Sequence, residues 1–509
     1  MATPNYWKYD QVETIRVRKL NHSSLYLECD SGIAQELNEF FSFYVPGYKF
    51  MPAYRNKIWD GKIRLFSRQT GELPAGLIHH LVQFGRTRDY LVEPVSTEYG
   101  LPYEKQDIDI QLLTSFLDSL GLPFSVRDYQ LDAIEKGLQR KRGILLSPTG
   151  SGKSLIIYAL VTYFLRMLTN GTKKEAGKVL IIVPTTSLVE QMYNDFANYG
   201  MLVENACHRI YSGKDKDNIK GGIIISTWQS IYKLPKSWFQ QFGMVIGDEC
   251  HGFKSKSLMS IMNKCTEAGY RFGTTGTLDG TQTHELVLQG LFGRTYKVTT
   301  TRELQDNDTL AGLDIRRLVL EYPEKIRKEF GNQKYQDEIS FIISHVGRNK
   351  FIRNLTLDLK GNTLLLYNYV EKHGKPLFDM IQDKAEDQRK VFFVSGGTAT
   401  ADREAIRGIV EKQNDAIVVA SLGTFSTGIN IRNLHNIVFA SPSKSQIRVL
   451  QSIGRGLRKS DDGRITMLYD ISDDISWKSR KNYSLVHSLD RLKIYKKETF
   501  DFKTFKIQL

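Results

Sequence analysis

Between the apolar pair Leu145-Leu146 and a helix-forming segment that begins near Ser154 lies the stretch Ser147-Pro148-Thr149-Gly150-Ser151-Gly152-Lys153-Ser154. Glycines and small residues at this spacing let backbone N–H groups wrap phosphate oxygens, and the start of a helix adds positive potential at the same place. Thr149, Gly150, Ser151 and Gly152 would form that cradle. Lys153 would reach the β- and γ-phosphates of a nucleoside triphosphate, and the Ser154 hydroxyl would hold Mg²⁺. Ser147 stands where the usual pattern has its first glycine.

A second cluster, Asp248-Glu249-Cys250-His251, follows the apolar run Met244-Val245-Ile246-Gly247. Carboxylates that leave the C-terminal end of a parallel strand stand where α/β sheets bind ligands. Asp248 would share the Mg²⁺ with Ser154, and Glu249 would orient the attacking water and take its proton. Phosphoryl transfer also needs positive charge on the γ-phosphate. Gln451-Ser452-Ile453-Gly454-Arg455-Gly456-Leu457-Arg458 offers it: Arg455 and Arg458 are three apart, on one face if the segment is helical, and either could serve as an arginine finger.

These side chains need rigid frames, and the apolar pattern supplies two. Gly143 to Leu146, Lys178 to Val183, Ile223 to Ser226 and Met244 to Gly247 are short Ile/Val/Leu-rich runs separated by helix-length segments. The rhythm returns after residue 360 with Leu364 to Tyr367, Val391 to Val394, Ala416 to Ala420, Asn436 to Ala440 and Thr466 to Ile471. Continuous apolar strands alternating with helices build parallel sheets covered on both faces. The expected class is therefore α/β, with tandem parallel-sheet domains at residues 125–300 and 301–475. A small α+β module at residues 1–95 and a linker helix at 96–124 precede them, and a short, basic, helical C-terminal extension at 476–509 follows.

The 509 residues are 41% hydrophobic and 25% charged, enough apolar surface for several cores, and the formal charge of +14 suits polyanionic partners. In the first module Lys49, Arg55, Lys57, Lys62, Arg64 and Arg68 are interleaved with Tyr48, Phe50, Tyr54, Trp59 and Phe66, a composition suited to phosphate contacts and base stacking. Lys57, Lys62 and Arg64 are the nucleic-acid candidates there, whereas Trp59 and Phe66 suit the module's own core. Cys29, Cys207, Cys250 and Cys265 are scattered, without zinc spacing or a disulfide framework. The first residues carry no secretory pattern, and the apolar stretch Leu155 to Leu165 is too short to span a bilayer. The expectation is a soluble, cytoplasmic protein without a membrane partner.

Taken in order, these motifs resemble the superfamily 2 helicases and translocases of the DExH form, whose two RecA-like domains bind ATP and Mg²⁺. Arg127-Asp128-Tyr129-Gln130 is similar to the adenine-reading Q motif, which implies base recognition by Gln130 with Arg127 beside it. Val183-Pro184-Thr185 and Ser226-Thr227-Trp228-Gln229 resemble segments that touch the nucleic-acid backbone, implying that role for Pro184, Thr185, Thr227 and Trp228. Gly273-Thr274-Thr275-Gly276-Thr277 resembles the coupling motif. In the second domain Val394-Ser395-Gly396-Gly397 and Ala420 to Asn430 resemble further contact motifs, implying nucleic-acid contact by Ser395, Gly396 and Thr424 and a nucleotide role for Gly428. Asn430 departs from the aspartate common there. The resemblance also implies that Gln451 and Arg458 face the γ-phosphate, with Arg455 beside them.

A narrower resemblance covers nearly the whole chain. Phe41-Ser42-Phe43, Gly47 to Pro52, Trp59 to Leu65 and Leu73 to Leu77, with Gln241 to Met244 leading into the acidic cluster, are similar to the UvsW helicases of T-even bacteriophages. That group implies action on forks, Holliday junctions and R-loops in recombination, repair and replication, with DNA and RNA–DNA hybrids as substrates and a single-strand-binding protein as a candidate partner. A monomer in the host bacterial cytoplasm is expected. The alternative is an ATP-driven translocase or protein–DNA remodeller, like a restriction subunit, that does not separate strands. A passive annealing module would have no use for the acidic tetrad and the two arginines.

Overall fold

Apolar residues two apart open the described chain: Ile15 and Val17 face the same core as Leu25 and Leu27, the alternation of a half-buried sheet. The computed structural model describes residues 13–170, 177–211, 218–278, 280–307, 309–330, 333–385, 389–428, 431, 433–441, 453–454 and 465–509. These form two compact units: Met1–Leu146 with Ser154–Val298, and Thr299–Leu509 with the loop Ser147–Lys153.

In the first unit β1 (Thr14–Lys19) pairs antiparallel with β2 (Ser24–Glu28). A two-stranded hairpin, β3 (Ser42–Tyr44) with β4 (Lys62–Arg64), stands apart. β5 (Glu72–Pro74) and β6 (Leu91–Val95) complete a four-stranded sheet in the order β5-β2-β1-β6. The helix Ser31–Phe40, capped by Asp30 accepting from the Ile33 N–H, and the helix Ile78–Thr87 cover one face with Ile33, Leu37, Leu81 and Phe84. Leu286 from the helix Gln282–Phe292 enters the same cluster, so this module shares its core with the sheet domain that follows.

That domain is a seven-stranded, wholly parallel sheet. Its strands are β7 (Arg142–Leu146), β8 (Lys178–Val183), β9 (Cys207–Ile210), β10 (Ile223–Thr227), β11 (Phe242–Asp248), β12 (Tyr270–Thr275) and β13 (Thr295–Lys297), in the order β13-β7-β12-β11-β8-β10-β9. Successive residues feed opposite cores. Leu145, Ile181, Ile225 and Ile246 point into one, and Ile144, Leu180, Ile224 and Val245 into the other, which is why these strands read as unbroken apolar runs. β12 does not read that way. Its Arg271 is buried and donates to the carbonyls of Leu291 (3.1 Å), Cys265 (2.8 Å) and Met262 (2.7 Å).

The second unit is another seven-stranded parallel sheet, ordered β16-β17-β15-β18-β19-β14-β20. Its strands are β14 (Leu313–Glu321), β15 (Thr363–Tyr367), β16 (Val391–Val394), β17 (Ile417–Ser421), β18 (Asn436–Phe439), β19 (Thr466–Asp474) and β20 (Phe502–Gln508). Two arginines are buried against β19. Arg348 pairs with Asp473 (2.6 Å), and Arg491 pairs with Asp470, which also accepts from the Tyr495 hydroxyl (2.9 Å). The expected C-terminal helix is Tyr483–Lys497. Beyond it the chain adds a strand that the apolar pattern does not announce: β20 runs parallel to β14 and closes that edge of the sheet. Among the described residues no helix is long and apolar enough to cross a membrane.

Candidate functional site

The phosphate loop leaves the C-terminal end of β7, and the helix Lys153–Asn170 begins as it ends. Gly150 and Gly152 have φ of +86° and +81°, left-handed backbone that residues with a Cβ rarely adopt. Ser147, in place of the usual glycine, is fully buried, and its hydroxyl bonds that of Ser151. Ser151 Oγ also lies 2.6 Å from the Pro148 carbonyl. The substitution therefore ties the loop across its base rather than distorting it. At the first turn of the helix the Ser154 hydroxyl lies 2.8 Å from that of Tyr199.

Parallel register aligns the acidic cluster with this edge of the sheet. Leu146 of β7 pairs with Thr275 of β12, and Thr274 of β12 pairs with Asp248 of β11. The strand that feeds the phosphate loop thus stands two places, about 10 Å, from the strand that ends in Asp248. Thr274 Oγ1 donates to Asp248 Oδ1 (2.7 Å) and fixes that largely buried carboxylate. Glu249 has φ +49° and ψ +48°, a left-handed conformation unusual for a side-chain-bearing residue. The kink turns its carboxylate toward Thr275 Oγ1 (3.4 Å) and His251 Nδ1 (3.4 Å), which are themselves 3.0 Å apart. A carboxylate held between a hydroxyl and an imidazole is well placed to accept a proton from water.

Ser154 and Asp248 offer a hydroxyl and a carboxylate, hard oxygen donors of the kind Mg²⁺ takes alongside phosphate and water. Among the described residues no group of three or more His, Cys, Asp or Glu gathers for a metal. Gln130 lies in the first turn of the helix Asp128–Arg140 and is buried, with Oε1 accepting from the Arg127 N–H (3.0 Å). Arg127 itself is exposed and donates to the Tyr129 hydroxyl (2.9 Å). Thr149 is half-buried.

The residues expected to meet nucleic acid fall into three groups. Pro184 and Thr185 follow β8, and Thr227 and Trp228 lie at the end of β10, which is its neighbour. Thr185 caps the helix Thr186–Asn198, Gln229 Nε2 reaches the Pro184 carbonyl (3.5 Å), and Trp228 rests edge-on against Tyr232. In the second unit Ser395 and Gly396 follow β16, and Arg403 donates to both carbonyls (3.3 and 3.0 Å). Thr424, although next to them in the sheet order, is buried with its hydroxyl 2.6 Å from that of Ser421, so the structure does not bring it to the surface. Gly428 ends the helix Leu422–Gly428. Gln451, Arg455 and Arg458 lie outside the described residues.

In the N-terminal module Lys57 is exposed, Lys62 lies over the Tyr44 ring (4.9 Å), and Arg64 is paired with Asp60. Phe66 is core, and Trp59 Nε1 donates to the Lys62 carbonyl (2.8 Å). Lys49, Tyr54, Arg55 and Lys57 line a shallow pocket beside Ile58, which is 80% exposed, and Phe50 nearby is 76% exposed. Reading by motif missed Tyr199 and the bonds of Thr274 and Thr275. No local signal marks Tyr199, and the threonines matter only because β12 inserts between β7 and β11.

A phosphate loop after one strand, an Asp-Glu pair after a strand two places away, and a further parallel sheet in the second unit define the superfamily 2 helicase class. Family comparisons agree: residues 14–93 match "DNA helicase UvsW, N-terminal", and residues 123–280 match "Type III restriction enzyme, res subunit". The ATP-dependent DNA helicase uvsW of Enterobacteria phage T4 is 34% identical, over 96% of this chain and 98% of its own. The crystal structure of T4 UvsW aligns with a TM-score of 0.50 and 32% identity, covering 97% of this chain and 99% of that one. A fragment of a type I restriction HsdR subunit from Vibrio vulnificus, 18% identical with a TM-score of 0.57, covers 79% of this chain and 72% of that one and shares the fold alone. The chain belongs to the UvsW family of ATP-dependent helicases, and it therefore uses ATP and binds nucleic acid.

Proposed function

We propose that this helicase acts on branched DNA: forks, four-way junctions and R-loops, in recombination, repair and replication. The observation that carries the reading is the N-terminal module. It matches the UvsW family, it shares a core with the motor domain, and it exposes Phe50 and Ile58 among Lys49, Arg55 and Lys57. Apolar side chains ringed by cations suit a place where base pairs end and phosphates converge.

At the nucleotide site the loop amides and Lys153 bind the phosphates, Ser154 and Asp248 hold Mg²⁺, and Gln130 with Arg127 borders the base. Glu249 takes the proton of the attacking water, with His251 and Thr275 fixing its carboxylate. Gln451, Arg455 and Arg458 complete the charge at the γ-phosphate. Pro184, Thr185, Thr227 and Trp228 grip the backbone on one unit, and Ser395 and Gly396 grip it on the other. Contacts to phosphates make binding sequence-independent and salt-sensitive. The chain works as a monomer in a bacterial cytoplasm, with RNA–DNA hybrids as further substrates and a single-strand-binding protein at hand.

The test is ATP turnover without nucleic acid and with single strand, duplex or four-way junction, using Lys153→Ala as the blank. Strongest stimulation by the junction is expected; equal turnover with all of them would sink the branch-directed reading. The match of residues 123–280 to restriction-type motors keeps a second reading, translocation without strand separation. Junction-stimulated turnover with no strand displaced would favour it.

A further inference from the structure

At the edge of the first sheet opposite the ends of Leu146 and Asp248, β7, β11, β12 and β13 begin beside a cavity of about 950 Å³. The length of β7 separates the two edges, so the cavity lies roughly 15 Å from the strand end that feeds the phosphate loop. Its other wall is the N-terminal module. The seam between the walls is set by backbone: a Cβ on Gly76 would fall 1.9 Å from the Gln289 carbonyl, the His22 N–H donates to Thr266 (3.0 Å), and Arg142 donates to the His22 carbonyl (2.6 Å).

Six cations, Lys19, Arg86, Arg140, Lys141, Arg142 and Arg294, line this cavity against three carboxylates, Glu98, Glu104 and Glu267. Among the described residues none of the six forms an ion pair. Lys19 donates to the Tyr99 carbonyl (3.1 Å), and Lys141 lies over the Tyr270 ring (5.6 Å). Burial and the nearby Arg142 pull the Lys19 ammonium down to about 8 against the opposing charge of Glu104, and burial with Arg271 pulls the Arg142 guanidinium down to about 9. Both stay charged at neutral pH, in a field that an anion would relieve. Like charges gathered in a cleft raise the local positive potential, which draws an anion to it. Tyr99, Tyr103, Tyr270 and Tyr296 add aromatic surface, and the volume falls within the roughly 300–1,000 Å³ of small-ligand sites.

We propose that this cavity is a second phosphate-binding site, separate from the ATP site, that takes one nucleotide unit with its phosphates on the arginines and its base against the tyrosines. The unit is either a free polyphosphate ligand or the phosphorylated end of a strand, and the site stands whether or not the branched-DNA reading does.

The test uses the full chain carrying Lys153→Ala, to weaken the phosphate loop, titrated calorimetrically with pyrophosphate. One equivalent should bind, and adding Arg86→Gln with Arg294→Gln, both at exposed positions, should weaken it at least tenfold without moving the thermal midpoint. Glu98→Gln should tighten it two- to threefold, a gain that misfolding cannot produce. No binding, or binding indifferent to all three changes, overturns the site. A short oligothymidylate with a 5′-phosphate or a 5′-hydroxyl then identifies the source. Tighter binding of the phosphate form, abolished by the two arginine changes, assigns a strand end; no difference assigns the free ligand.

Discussion

Glu249 combines two properties that usually oppose each other: it carries the proposed proton acceptor, and its backbone sits at φ +49°. Left-handed backbone costs a residue with a Cβ roughly 1–2 kcal/mol and glycine almost nothing, while glycine loosens the unfolded chain by about 0.4–1 kcal/mol. Glu249→Gly should therefore leave stability unchanged or slightly higher while slowing hydrolysis about 10²–10⁴-fold, the range for a missing general base. Thermal melts and turnover on one preparation check this, and a clear fall in the midpoint would contradict the strain argument. Glu249→Gln should bind ATP and DNA normally and show the same slow turnover. The acidic tetrad was legible from its residues alone. The torsion and the partners of its carboxylate were not: Thr275 comes from β12, whose polar sequence hides a buried strand, and the approach of His251 depends on the turn that Glu249 makes.

At the scale of elements, the basic C-terminal stretch divides by face. Arg491 is buried on Asp470 of β19, whereas Lys493, Lys496 and Lys497 are exposed. The helix Tyr483–Lys497 is thus part of the second unit's core and not a charged appendage. Removing one member of a buried pair strands the other, at a cost of about 3–5 kcal/mol. Arg491→Ala should destabilise the second unit to denaturant by that much without changing the salt slope of DNA binding; a lower slope would place Arg491 on the nucleic acid. The same division applies to the N-terminal hairpin, where Arg64 is engaged by Asp60 and Lys62 by Tyr44. Neutralising Lys49, Arg55 and Lys57 together should flatten the log–log salt dependence of fork binding by about 2–3, near 0.9 for each phosphate no longer neutralised. If plain duplex loses as much affinity as a fork, the module is a general clamp.

For the molecule as a whole, one buried histidine, His373, and two half-buried ones, His22 and His79, make stability depend on pH. Burial with the charges of Lys19, Arg142, Arg271 and Lys141 lowers His22 from 6.5 to about 3, burial with His80 lowers His79 to about 4, and burial with Arg348 lowers His373 to about 3. The unfolded chain takes up these protons near pH 6.5 and the folded chain does not, so the stability they lend is complete above pH 6.5 and is lost as pH falls toward 4. Thermal midpoints should drop across that window, and His22→Gln should make the drop shallower; a flat profile would show that these rings are not buried neutral.

The sequence by itself determined the phosphate loop, the acidic tetrad and the two-sheet α/β class. Each of these is written in adjacent residues: glycines where φ must be positive, carboxylates directly after a strand, apolar runs long enough to bury both faces. Only the tertiary structure decided what depends on residues far apart in the chain. It seated β12 between β7 and β11, put Tyr199 on Ser154, buried Thr424 and Arg491, added β20 to the second sheet, and gathered six cations around one cavity. Burial and pairing are set by which surfaces meet, and a run of residues does not carry that information.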